Sequence, residues 1–131
     1  MPRVLIVDDD AAQLRLLTRA LAQDGWDAVA ASSGAEALAA FTGGAFDMLL
    51  SDVNLGDADG VTLAQAIHRE RPGIPVVLMS GLPENAERAR AAGFKHCLGK
   101  PFSLAELRAV CRTCRARPEA SSPADEDRRR M

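Results

Sequence analysis

The residues able to do chemistry in this chain stand where apolar runs end. Asp8, Asp9 and Asp10 follow Val4-Leu5-Ile6-Val7, Asp52 follows Met48-Leu49-Leu50-Ser51, Ser80 closes Val76-Val77-Leu78-Met79, and Lys100 closes Cys97-Leu98-Gly99. If those runs are parallel strands, the carboxylates, the hydroxyl and the ammonium gather along one edge of a sheet. Oxygen ligands with a cation and a hydroxyl beside them can hold Mg²⁺ and handle a phosphoryl group.

The elements that would position them follow from periodicity. Short apolar runs alternate with segments of helical period, which predicts five β-α units and a mainly parallel sheet. Leu14, Leu17 and Leu21 recur at i, i+3, i+7, giving a helix from about Ala11 to Asp24 that stops at Gly25. Trp26–Ala31 reads as a weaker, alanine-diluted strand. Asp10 with Gln13, Ser33 with Glu36 and Ser103 with Glu106 have capping-box spacing and open the first, second and fifth helices. Helix three spans about Val61–Arg71, ended by Pro72-Gly73, and helix four about Glu84–Ala92, with Pro83 in its first turn. Helix four has little apolar stripe and should be the least firmly packed, whereas Leu104, Leu107, Cys111 and Cys114 give the last helix one apolar face.

Five such units predict an α/β, flavodoxin-like, doubly wound five-stranded parallel sheet in the order 2-1-3-4-5, with five helices. Ligands bind such sheets outside the carboxyl ends of the strands, where the strand order reverses. That point lies between strands one and three, which carry Asp8, Asp9 and Asp52. Three close carboxylates repel one another, and a hard cation that takes oxygen ligands relieves the repulsion.

Composition narrows the partners. At 131 residues, 47% apolar, the chain has enough material for one compact core. No apolar run approaches the ~20 residues of a membrane helix and no leader-like segment opens the chain, so a cytoplasmic protein with no membrane partner is expected. The net charge of −2, with both signs interspersed, leaves no basic face for nucleic acid. Cys97, Cys111 and Cys114 fall inside apolar patterns and read as reduced, buried thiols. Residues 118–131 are polar and proline-broken, and the reading is a folded domain over 1–117 with a disordered tail and no attached effector.

The acidic pair after strand one, Ser51-Asp52-Val53-Asn54-Leu55 with Gly60 beyond, Ser80-Gly81 after strand four and Lys100-Pro101-Phe102 after strand five together resemble the receiver domain of bacterial response regulators, over roughly residues 3 to 116. The resemblance implies a stand-alone, phospho-accepting signalling domain of a two-component system or phosphorelay. It is not an enzyme in the ordinary sense, although such a domain promotes its own phosphotransfer and dephosphorylation. Asp52 would take the phosphoryl group from a histidine kinase or a histidine phosphotransfer protein. Mg²⁺ would be held by Asp9, by Asp8 through water, by Asp52 and by the backbone carbonyl of Asn54. Lys100 would pair with the acceptor and then with phosphate, and Ser80 would donate its hydroxyl, with the Gly81 amide as a further donor. A cis bond at Lys100-Pro101 is also implied. The signal would leave by conformational change toward an unidentified protein target, or by passing the phosphate on.

The pattern is not followed everywhere. Gly56 stands where the family often has proline, which should loosen the loop. The Ser80–Gly93 segment is about two residues short, so helix four should be shortened or displaced. Cys97 replaces the usual switch aromatic and cannot swing as a ring does. Leu82, two residues past Ser80, cannot orient an attacking water, which implies a phosphoaspartate that is not unusually short-lived.

Plainer readings cover the remaining residues: Asp10 as a helix cap, Asp57 and Asp59 as solvated turn residues, His68 and His96 as surface residues, Cys111 and Cys114 as core. Two other functions compete. A pseudo-receiver adaptor would never take phosphate, and a haloacid-dehalogenase-type phosphatase would use Asp8 and Asp10 as its paired acids.

Overall fold

The computed structural model describes residues 1–116; the expected tail lies outside them. Five strands alternate with five helices: β1 Arg3–Val7, α1 Ala11–Gln23, β2 Asp27–Ala31, α2 Gly34–Thr42, β3 Met48–Asp52, α3 Gly60–Glu70, β4 Val76–Ser80, α4 Pro83–Ala91, β5 His96–Gly99 and α5 Leu104–Ala116. The strands are all parallel in the order β2-β1-β3-β4-β5, as the sequence predicts. No helix among the described residues is long and apolar enough to cross a membrane.

Strand alternation splits the core between two faces. Leu5, Val7, Leu49, Val76 and Leu78 pack with residues of α2 and α3, including Ala37, Leu63 and Ile67. Val4, Ile6, Met48, Leu50, Val77 and Met79 pack with Leu14, Leu17 and Leu21 of α1 and Leu107, Cys111 and Cys114 of α5. Strands β3 and β4 are buried along their whole length because helices cover both faces, hence their unbroken apolar runs. The alanine-diluted β2 is one of the two edge strands; it begins at Asp27, and Trp26 before it is buried on the α1–α5 face under the Arg115 guanidinium.

Caps set where the helices begin. Asp10 accepts from Ala12 N at 3.0 Å and Gln13 N at 3.2 Å, Ser33 from Glu36 N at 3.1 Å and Ser103 from Glu106 N at 3.0 Å. The Ser33 box is not reciprocal, because the Glu36 carboxylate turns instead to the amide and hydroxyl of Ser32. Helix α1 ends with Asp24 as its cap and Gly25 at φ +90°, a conformation open to glycine. Helix α4 has no side-chain cap and buries only Asn85 and Ala89, in keeping with its expected weak packing.

Candidate functional site

Register brings the reactive groups into line. Val7 pairs with Ser51, Asp52 with Met79 and Ser80 with Gly99, so the ends of β1, β3, β4 and β5 lie side by side. The Lys100 amide donates to the Ser80 carbonyl at 2.8 Å, which extends the alignment past β5. Asp8, Asp9 and Asp52 come together there, each with a carboxylate oxygen within 4.8 Å of the others.

Their surroundings differ. Asp8 is 0% exposed; its Oδ1 accepts from Asp10 N at 2.9 Å, while its buried Oδ2 has no hydrogen-bond partner among the described residues. Burial pushes the Asp8 carboxyl above its usual value, against the pull of the Asp10 amide and the Lys100 charge. Asp9 is exposed, and Asp52 is 8% exposed, with Oδ1 accepting from Asn54 N at 3.2 Å.

Lys100 reaches in from the β5–α5 turn across a cis bond to Pro101. Its Nζ lies 2.8 Å from Asp52 Oδ2 and 3.7 Å from Asp8 Oδ2. Burial alone would lower the Lys100 ammonium, but the hydrogen bond and charge of Asp52 and the charge of Asp8 hold it above its ordinary value.

The loop after β3 is tied down, so the looseness expected from Gly56 has no counterpart in its contacts. Leu55 is buried, Leu55 N donates to Ala58 O at 3.2 Å, and Asn54 bridges Asp59. Gly56 itself sits at φ +81°, which the fixed ring of proline excludes. A Cβ there would stand 3.3 Å from Asp9 Oδ2, so the bare backbone flanks the acidic cluster. Gly60 is required by space: a Cβ would lie 2.0 Å from the Asp52 carbonyl oxygen, where Gly60 N donates to Val53 O at 2.6 Å.

Ser80 is 6% exposed, and its hydroxyl engages Leu82 and Asn85, not Asp52 or Lys100. Gly81 follows at the cleft beside Lys100. Cys97 is half-buried, not buried, and with Ser80, Leu82, Pro83, Ala86 and Lys100 it lines a cleft of about 260 Å³. Its thiol is raised by burial, and Arg90 opposes this. Leu82 is 48% exposed at the mouth of this cleft.

Several plain readings need correction. Asp57 is exposed but accepts from Gly34 N at 2.9 Å and Ala35 N at 3.2 Å, capping α2 from 22 or more residues away. Those bonds, the one from Gly34 foremost, hold its carboxyl below the usual range. Asp59 caps α3 through Thr62 and pairs with Arg88 at 2.8 Å; burial would raise its carboxyl, but these bonds outweigh burial and lower it. His68 and His96 are half-buried, His68 accepting from Gly73 N at 3.4 Å with its ring edge-on to Phe94. Cys111 and Cys114 are core, as expected.

Asn85 was not foreseen. It is a buried amide in a helix whose sequence is otherwise polar or alanine, and its only sign is the i, i+4 pairing with Ala89 on the inward face.

Residues 4–112 match the family model of the response regulator receiver domain. The chain is 38% identical over 108 residues to the transcriptional regulatory protein PrrA of Mycobacterium tuberculosis, covering 81% of this chain and 46% of PrrA. It is 36% identical over 107 residues to the sensor histidine kinase RcsC of Salmonella typhi, covering 80% of this chain and 11% of the kinase. It thus spans less than half the length of either relative. The crystal structure of a CheY-like response regulator receiver domain protein from Methanospirillum hungatei superposes with a TM-score of 0.81 at 30% identity, covering 86% of this chain and 92% of that one.

Proposed function

The chain belongs to the response regulator receiver domain family, and from that premise we propose that Asp52 accepts a phosphoryl group from a phosphohistidine of a kinase or phosphotransfer protein. As a receiver it is a signalling domain of two-component systems and not a classical enzyme. The observation that carries the proposal is the Asp52 carboxylate held 2.8 Å from the Lys100 ammonium beside two further carboxylates.

In the transfer, an Asp52 oxygen forms a bond to phosphorus as the phosphorus–nitrogen bond of the phosphohistidine breaks, leaving imidazole on the donor. Phosphoryl transfer asks the protein mainly for in-line positioning and charge neutralisation. Lys100 supports both, moving from the carboxylate to a phosphoryl oxygen. The buried Asp8 Oδ2, without a hydrogen-bond partner among the described residues, fits a Mg²⁺ site completed by Asp9, Asp52 and the Asn54 carbonyl. When bound, Mg²⁺ would neutralise charge on the phosphoryl oxygens. Ser80 and the Gly81 amide then supply donors to the new acyl phosphate, and the rearranged β4–α4 loop presents a changed surface to a target protein, unless the phosphate passes to a further histidine. Cys97, Cys111 and Cys114 outside any disulfide suit a reducing, cytoplasmic setting.

The adaptor reading is disfavoured by the intact Asp52–Lys100 pair, and the phosphatase reading by Asp10, whose carboxylate is occupied as the cap of α1. Incubation with phosphoramidate and Mg²⁺ separates all three by intact mass. The proposal requires one added phosphoryl group in the wild type and none in Asp52→Asn. Release of phosphate that persists in Asp52→Asn would indicate a phosphatase, and an unmodified wild type that releases none an adaptor.

A further inference from the structure

The Ser80 hydroxyl is committed to the α4 side of the site. Its oxygen accepts from Leu82 N at 3.0 Å and from Asn85 Nδ2 at 2.8 Å, and among the described residues its own proton has Leu82 O, 3.4 Å away, as acceptor. Asn85 is 6% exposed and uses its other end as well: Oδ1 accepts from Arg88 Nη1 at 3.1 Å. Arg88 Nη2 in turn donates to Asp59 Oδ2 at 2.8 Å, the oxygen that caps α3 at Thr62. Four side chains therefore connect the end of β4, the first turns of α4 and the start of α3.

We propose that Asn85 is a positioning residue that latches Ser80 in its outward rotamer, so that engagement of a phosphoryl group on Asp52 opens the latch and loosens the tie between α4 and the start of α3. The inference rests on the reading of Asp52 as acceptor and Ser80 as phosphoryl-binding hydroxyl. For Ser80 to donate toward Asp52, its oxygen must leave both present donors. The Asn85 amide is then a buried donor without its acceptor, a state that costs free energy until the amide turns or α4 shifts. Either movement takes Oδ1 away from Arg88, whose guanidinium is exposed and free to leave Asp59 for water. The coupling is reciprocal: whatever weakens the latch favours phosphoryl engagement, and phosphoryl engagement weakens the latch.

This assigns a role to the one polar side chain that α4 buries, in a helix with no side-chain cap and little apolar packing. Such a helix shifts at small cost, and its side-chain hold on Ser80 runs through the Asn85 amide.

The test uses beryllium fluoride, which forms a tetrahedral phosphoryl mimic on a carboxylate, in the presence of Mg²⁺. Affinity and thermal midpoint are measured for the full chain and for Asn85→Ala, Arg88→Ala, Ser80→Ala and the Ser80→Ala/Asn85→Ala pair. Loss of one buried hydrogen bond from the resting state predicts about tenfold tighter binding by Asn85→Ala. Arg88→Ala, altered only at an exposed position, should bind about twofold to threefold tighter and keeps the test open if Asn85→Ala does not fold. In the Ser80→Ala background, removal of Asn85 should change nothing further. Equal or weaker binding by both Asn85→Ala and Arg88→Ala, or the same gain without Ser80, would overturn the latch. A role in packing alone would lower the midpoint without tightening binding. Absence of Asp52-dependent binding in the wild type would overturn the phosphoacceptor reading itself, and the latch with it.

Discussion

The Lys100 ammonium rests 2.8 Å from Asp52 Oδ2, so the carboxylate proposed as acceptor is already paired in this structure. Asp8 is served less well: its inner oxygen stands 3.7 Å from the same ammonium and accepts no hydrogen bond from a described residue. The site carries more negative charge than its one lysine can balance.

That imbalance predicts opposite effects of one substitution. Burial raises the Asp8 carboxyl, so the folded state holds its proton to higher pH than the unfolded chain, and stability falls as pH rises from about 4 through the raised value. Asp8→Asn should therefore raise the thermal midpoint of the metal-free protein at neutral pH. It should also abolish the upward shift that Mg²⁺ produces in the wild type, a shift of RT ln(1 + [L]/Kd) or about 1.4 kcal/mol at tenfold excess over Kd. Differential scanning in EDTA and in Mg²⁺ reads both effects.

Gly60 gives the steric counterpart. With 2.0 Å between a Cβ and the Asp52 carbonyl oxygen, Gly60→Ala must push the α3 start away from β3. The expected loss is roughly 3 kcal/mol, at the upper end of overpacking costs, measured by urea unfolding. Because the crowded atom belongs to the backbone of Asp52, the proposed acceptor, phosphorylation of any folded fraction should also slow.

Asp57 should impose an acid limit on α2. Its folded carboxyl lies below the usual range through the Gly34 and Ala35 amides, so its contribution is fully present above about pH 4 and is lost as pH falls through the folded value. The midpoint difference between wild type and Asp57→Ala should be largest near neutrality and vanish in acid. A constant difference across that range would contradict the capping role.

The strand ends were readable in the sequence because apolar runs stop where carboxylates begin, and three short cap signals bounded the helices. Asp10 and Ser33 bond to amides two or three residues on, so spacing alone reveals them. Asp57 bonds to amides 23 and 22 residues away and Arg88 to a carboxylate 29 away, and no local period encodes such pairs. Asn85 was hidden for a related reason: in a helix without an apolar stripe, only its i, i+4 spacing to Ala89 hints at the inward face, and the Ser80 hydroxyl opposite it is supplied by the fold.

The Cys111-x-x-Cys114 spacing is a test of core against redox chemistry. Burial pushes the Cys111 thiol up to about 12, far from the depressed values of reactive thiols. With Ellman's reagent at neutral pH, Cys111 and Cys114 should stay unmodified in the folded protein and react on unfolding, while half-buried Cys97 reacts first and slowly. Rapid modification of Cys111 in the native state would contradict the packing described.

Borohydride trapping reads acyl phosphate formation at Asp52 without an intermediate assay. The protein is treated with phosphoramidate and Mg²⁺, reduced, digested and sequenced by mass spectrometry. Reduction of an aspartyl phosphate yields homoserine, which is expected at position 52 alone, dependent on Mg²⁺ and suppressed by Lys100→Ala on the order of a hundredfold in rate. Homoserine at position 8, 9 or 10 instead, or aspartate retained at 52 after full treatment, would contradict it.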